Sequence, residues 1–333
     1  MFPKFNIKST NLIILIILVV LMIISILMFK VKDIRKTQVQ TFASHTSLQV
    51  ELGKLQAELE KAMPYIARMS AELQPSTPET VALQNLVNVL KVYTVYDQNG
   101  IIKHIRHGRP MDGGYVVPEI AFNTAQALIG YGIADDISFE EQFSDLYNKP
   151  SYGFDCGAEN VKVKNKLCTF IKECISSDAS IYANQKSSNE VSSFSQQLQK
   201  LGLEGKKLFI KMDIEGTEYE AFEDIYKHAS NITGIALEIH FVSLEQMLKA
   251  TQLISRLGND FFLTHVHGNN CVPYTFVTKQ SNGIITKVLE LTFINKSLVS
   301  KFQISNNQSH PLPIDMPNCP NKEETKFEIL LNN

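Results

Sequence analysis

The sequence predicts an α/β fold: a largely parallel sheet covered by helices and closed by an antiparallel hairpin, preceded by a transmembrane helix and a helical stalk. Three observations lead there. From about residue 80, short apolar runs alternate with amphipathic segments, the βα alternation of a helix-covered sheet. Several of those runs end abruptly in carboxylates, imidazoles or amides. Near the amino terminus stand nineteen residues without a charge, "NLIILIILVVLMIISILMF", about the length that crosses a hydrocarbon core.

Composition limits the function classes. A chain of 333 residues holds one domain of about 200 to 250 residues with appendages, and its 44% hydrophobic content fills a sizeable core. A net charge of -2 supplies no basic face for phosphates, which excludes nucleic acid as the expected partner. Five cysteines without CxxC pairing indicate neither a disulfide framework nor a zinc site; reduced thiols in a reducing compartment are the expectation.

Taken in order, residues 1–10 are a short tail and 11–29 an uncleaved membrane anchor, since the apolar run exceeds a signal-peptide core and no small-x-small site follows promptly. Lys30, Lys32, Arg35 and Lys36 follow the span, against Lys4 and Lys8 before it. That bias favours a cytoplasmic catalytic domain. Over the stalk, 30–74, Leu48, Leu52, Leu55, Leu59, Ala62, Ile66, Met69 and Leu73 alternate steps of four and three, a coiled-coil seam able to pair two chains. Pro64 opposes a continuous helix, so a kinked stalk competes with a homodimer. "QPSTPET" reads as turn chemistry, giving a linker at 75–84, a globular domain at 85–298 and a surface-wrapping extension at 299–333.

Within the domain the expected strands are "AQALIGYGI", "SYGFDCG", "CTFIKECIS", "KLFIKMD", "ITGIALEIHF" and "FFLTHVHG". The closing hairpin is "YTFVTKQSNGIITKVLELTFI", around a Ser-Asn-Gly turn. In open parallel sheets ligands bind beyond the carboxyl ends of strands. At the first such end, Gly130 and Gly132 flank Tyr131 and let the backbone turn tightly, with Asp136 or Ser138 to cap the next helix. Gly-x-Gly alone is usually a plain strand-to-helix turn. Asp155, ending the next strand 25 positions after Gly130, suits ribose hydroxyls, for which the usual separation is about 20. Together they favour an adenosine-containing ligand. "MDGGYVVP", before the first strand, is either an entry turn or a flap over that ligand.

The stretch "LFIKMDIEGTEYEAF" holds the greatest charge density beside an apolar run. Strand alternation groups Lys211, Asp213 and Glu215, while Thr217 caps the helix and Glu218 and Glu220 sit in its first turn, where the dipole favours acids. "LEIHF" repeats the theme with Glu238 and His240, and "HVHGNN" with His265, His267, Asn269 and Asn270. A single such histidine is usually a packing residue. Three polar strand ends in series point to an active site.

"DGGYVV", "GYGIADDISFEEQF", "FDCG", "KMDIEGTEYEAF", "LEIHF" and "HVHGNN", in unbroken order over roughly 85–298, resemble the FkbM-like family of S-adenosylmethionine-dependent methyltransferases. The resemblance implies a class I methyltransferase fold, Rossmann-like, with seven strands of which the last is antiparallel. It implies that Gly130, Tyr131 and Gly132 line the methionine part of the cofactor, that Asp155 holds its ribose, and that Asp213 faces the methyl group. The first motif departs from many methyltransferases in lacking an acidic residue and further glycines.

Methyl transfer from a sulfonium is an in-line displacement, so a hydroxyl acceptor needs alignment and a base. Asp213 and His240 are the candidate bases, Glu215 and Glu238 their orienting partners, and His267, Asn269 and Asn270 the acceptor-binding candidates. A divalent ion on Asp213, Glu238, His240 and His267 is a minority reading, because the sequence gives no ligand spacing; no metal is expected. The expected acceptor is a sugar, lipid-linked glycan or other molecule near the bilayer. The competing readings are a membrane-anchored glycosyltransferase using Asp213 and Glu215 for a metal-bound sugar-nucleotide, and a non-catalytic coiled-coil scaffold.

Overall fold

The computed structural model describes residues 77–177, 190–272, 274–277, 284–305, 308–324 and 327–329. The anchor at 11–29 and the stalk seam at 48–73 lie outside the described residues. Among the described residues no helix is long and apolar enough to cross a membrane.

Helix α1 (Pro78–Val89) opens with Thr77, whose side chain accepts the Thr80 N–H at 3.2 Å, and with proline at its first position, where no donor is lost. The helix thus begins inside the stretch expected as linker: Ser-Thr-Pro serves as a helix start as readily as a turn. Strands β1 (Tyr93–Asp97) and β2 (Gly100–Ile101) pair antiparallel. Strands β3 (His104–His107) and β4 (Tyr115–Pro118) form a hairpin that carries Asp112 and Gly113 in its connection. Then follow α2 (Glu119–Thr124), β5 (Ala127–Tyr131), α3 (Ser138–Tyr147), β6 (Ser151–Phe154), β7 (Cys168–Ile171), β8 (Glu173–Ile175), β9 (Glu190–Ser192), α4 (Phe194–Leu201), β10 (Leu208–Met212), α5 (Glu218–Ile225), β11 (Ile232–His240), α6 (Leu244–Asp260) and β12 (Phe261–Gly268). The chain continues with β13 (Tyr274–Val277), β14 (Ile284–Thr286), β15 (Val288–Asn295), β16 (Lys301–Ile304), β17 (Gln308–His310) and β18 (Phe327–Ile329).

Seven strands form the central sheet in the order β12-β15-β11-β10-β5-β6-β7. All run parallel except β15, which lies antiparallel between β11 and β12. This is the seven-stranded, Rossmann-like sheet with an antiparallel last strand that the resemblance implies. Two expectations change. "CTFIKECIS" splits at Lys172 into β7 in the sheet and β8, which pairs with β9 outside it. The closing hairpin also divides: β13 and β14 pair with each other, while β15 inserts into the sheet.

The sheet is covered on both faces, so its strands are buried throughout rather than alternating. In β10 every residue is buried, Lys211 included, and Leu208, Phe209, Ile210 and Met212 are fully enclosed. Each such apolar side chain contributes roughly 1.5 to 3 kcal/mol by leaving water. The segment after residue 298 joins the same packing unit: β16 adds to β1 with Tyr93 opposite Ile304.

Two disulfides correct the expectation of reduced thiols. Cys156 joins Cys174 and Cys271 joins Cys319, with Cα separations of 4.8 Å and 5.2 Å; Cys168 is free and buried. Linear spacing conceals both pairs, because the partners stand 18 and 48 positions apart and meet only through the fold.

Candidate active site

Strand order reverses at β5 and β10: from β5 the chain proceeds to β6 on one side, and β10 lies on the other. Such a switch point leaves a crevice at the carboxyl ends. A cavity of about 400 Å³ sits there, lined among others by Gly132, Ala134, Glu140, Asp155, Glu173 and Asp213.

Glycine is required at the exit of β5. Gly132 has φ +71°, and a Cβ there would stand 1.4 Å from the Asp213 carbonyl oxygen; a Cβ on Gly130 would stand 1.8 Å from Glu140 Oε1. The two strand exits therefore meet backbone to backbone, which the Asp213 N–H seals by donating to the Tyr131 carbonyl at 3.1 Å. Tyr131 turns its ring away, stacked on Phe154 with its hydroxyl donating to Gln197 at 2.7 Å. Any ligand contact it makes beside the glycines is thus chiefly through its main chain. Lys211, near the end of the apolar run of β10, is only 5% exposed. Its ammonium donates to the Gly132 carbonyl at 2.8 Å, lies 4.0 Å from Asp213 Oδ2 and holds the glycine turn.

Asp155 stands at the rim at the end of β6. One carboxylate oxygen accepts the N–H of Gly157 and Ala158 at 2.7 and 2.9 Å, the other that of Ala134 at 2.9 Å. A carboxylate offers about four lone-pair positions, so one direction remains for a ligand hydroxyl. Beside it the Cys156–Cys174 bridge ties the end of β6 to β8, both lining the cavity.

Beyond Asp213 lies a second group of charges. Asp213, Glu238 and His240 each offer an atom within 4.8 Å of the others, as do Asp112, Glu238 and Glu290. Burial pushes the Asp213 carboxyl up to about 6, opposed by the positive charges of Lys211 and His240. Burial also drives Glu238 well above the ordinary carboxylate range, reinforced by the charges of Asp213 and Glu290. Burial lowers His240, but its bond to Glu218 together with the charges of Glu218, Asp213 and Glu215 outweighs this, and the net direction is upward. Glu215, with φ +56°, leaves the strand alternation expected of it; its exposed side chain reaches His240 Nε2 at 3.2 Å.

The cap of α5 also differs from expectation. Thr217 makes no side-chain cap; its hydroxyl donates to the Ile214 carbonyl, and Glu218 instead accepts the Gly216 N–H at 3.0 Å. Glu218 is fully buried and sits 3.1 Å from His240 Nδ1, so it belongs to the site rather than to an ordinary helix start.

Of the expected acceptor-binding residues, Asn269 joins the charged group by donating to Glu238 at 3.2 Å. His267 and Asn270 face the carboxyl-terminal segment instead. His267 is buried between Glu290 and Glu324, and these two bonds outweigh burial and raise it to about 10. Asn270 accepts the Cys319 N–H at 2.8 Å and donates to the Cys319 carbonyl at 3.0 Å. Asn318 reaches both Asp112 and Glu290, at 2.9 and 2.6 Å.

Glu140 was not singled out by the sequence. It is fully buried beside the cavity, neither oxygen has a hydrogen-bond partner among the described residues, and burial pushes it up to about 7. Its signal was a glutamate between Phe139 and Phe143, on the apolar face of α3, a position that is usually nonpolar.

No protein-family model matches the chain, and no curated protein matches it. Among solved structures, a chain from Plasmodium falciparum provisionally described as a ribosomal RNA methyltransferase is similar at 12% identity with a TM-score of 0.32, over 54% of this chain and 90% of that one.

Proposed function

We propose that residues 77–329 form an S-adenosylmethionine-dependent methyltransferase that O-methylates a hydroxyl of a sugar, lipid-linked glycan or other acceptor near the bilayer. The observation that carries this reading is the switch-point cavity, where a glycine turn at 130–132 and Asp155 on one side face Asp213 on the other. The absence of a Cβ at Gly132 lets the exits of β5 and β10 close together at the cavity wall, and the resemblance to the FkbM-like family supplies the cofactor class.

The cofactor supplies an electrophilic methyl group on a sulfonium. With the cofactor bound, Asp155 would receive its ribose hydroxyls, the glycine turn would accommodate its methionine part, and Asp213 would be the residue to hold the proton of the acceptor hydroxyl. His240, enclosed by Glu215, Glu218 and Glu238, is less well placed than Asp213 to reach the cavity.

Calorimetry on the full chain in detergent tests the reading. S-adenosylmethionine is expected to bind and a UDP-sugar not to, and Asp155→Ala is expected to weaken the first at least about tenfold, or ~1.4 kcal/mol. Binding of the UDP-sugar alone would support glycosyl transfer. Binding of neither would leave a scaffold.

We further propose that the domain faces an oxidising compartment. The charges flanking 11–29 favour the cytosol, but that bias is modest, and disulfides rarely persist where thiols are kept reduced. Alkylation of the denatured protein from freshly lysed cells checks this. One cysteine, Cys168, should react before reduction and five after it. Five reactive thiols without reductant would return the domain to the cytosolic side.

A further inference from the structure

We propose that Asp213, Glu238 and His240 form a binding site for a divalent cation of the Mn²⁺ or Mg²⁺ class at the acceptor end of the cavity. Each offers an atom within 4.8 Å of the other two, the spacing of groups that share one ion. Glu238 and His240 stand two apart on β11 and so point to the same face of the sheet, while Asp213 follows β10 next to it.

The orientation of His240 points to a ligand. Its Nδ1 lies 3.1 Å from the fully buried Glu218 carboxylate, which fixes that nitrogen as the donor. Nε2 then presents a lone pair toward Glu238 Oε1 at 3.4 Å and Glu215 Oε2 at 3.2 Å. Three electron-rich atoms meeting there require a cation or a proton between them. A buried carboxylate that fixes the tautomer of an imidazole is the usual support of a metal-binding histidine. The Glu238 carboxylate is supported in its turn by Asn269.

Asp213 is the independent observation. Its Oδ1 is buried with no hydrogen-bond partner among the described residues, while Oδ2 faces Lys211 at 4.0 Å. A buried anionic oxygen left unpaired is costly unless an unseen cation meets it. One imidazole among carboxylates suits Mn²⁺ or Mg²⁺ better than thiolate-seeking metals. Because Asp213 also lines the cavity, the ion would polarise the acceptor hydroxyl beside it. This role rests on the methyl-transfer reading; the binding itself does not.

The full chain, in detergent and stripped with EDTA, is titrated with Mn²⁺ alone, and the free ion is counted by its electron paramagnetic resonance signal. One Mn²⁺ per chain is expected. Glu238→Gln and His240→Asn should each lower the affinity at least about tenfold. Glu238→Gln should at the same time raise the unfolding temperature of the ion-free protein, because it relieves the cost of burying an ionisable acid among other carboxylates; a merely structural role would not move the two in opposite directions. No stoichiometric binding would assign a proton, not an ion, to the gap and overturn the proposal. Affinity lost in Glu290→Gln but kept in His240→Asn would also overturn it, moving the ion to the Asp112, Glu238 and Glu290 group. Since no S-adenosylmethionine is present, failure here is distinct from failure of the cofactor titration.

Discussion

Asp213→Asn is expected to lower methyl transfer to the native acceptor by about 10²- to 10⁴-fold while S-adenosylmethionine affinity and the fold are kept. Asparagine preserves the shape of the side chain and one of its oxygens. It can neither take a proton nor offer an anionic oxygen to an ion, so both roles assigned to this position fail together. Burial of Asp213 beside Glu215, Glu218 and Glu238 means the substitution also relieves repulsion between like groups, and the variant should unfold no earlier than the parent. Near-normal turnover in a single-turnover assay would remove Asp213 from the chemistry.

Gly132→Ala should be the most damaging small substitution in the domain. At φ +71° any side chain is strained, and the added Cβ would fall 1.4 Å from a backbone oxygen. Backbone cannot rotate away, so β5 or β10 must shift, at a cost on the order of 3 kcal/mol or more. Gly130→Ala offers the comparison. Its Cβ meets the end of the Glu140 side chain, which can turn aside, so its cost should be smaller. Urea unfolding of the two variants, with S-adenosylmethionine titration of whatever remains folded, gives the ranking. Equal stability of Gly132→Ala and the parent would mean that the strand exits are not in contact as described.

Much of the sheet was legible because its strands are continuous apolar runs bounded by turn chemistry. β5, β6, β10, β11 and β12 each fall within the stretch expected. The crevice was legible too, since Gly130, Gly132, Asp155 and Asp213 are all short-range features of strand ends. What escaped were partnerships made across the fold. Nothing near Cys271 in sequence announces Cys319, and nothing near His267 announces Glu324. Glu218 misled for a physical reason: acids are favoured in any first helical turn, and only the return of β11 beside α5 turns this one toward His240. Lys211 misled similarly, because a lysine ending an apolar run normally reaches solvent, whereas here it finds the carbonyls of the neighbouring strand exit.

The carboxyl-terminal segment, expected as a surface wrap, contributes Asn318 to Asp112 and Glu290, Glu324 to His267, and Cys319 to Cys271. All three follow the last strand of the central sheet, β15, along the chain. While translation is under way, the strands of the central sheet are all made before the side chains that complete the acidic wall beyond them. The order of synthesis therefore separates folding from competence: a nascent chain can own a finished core and still lack a finished site.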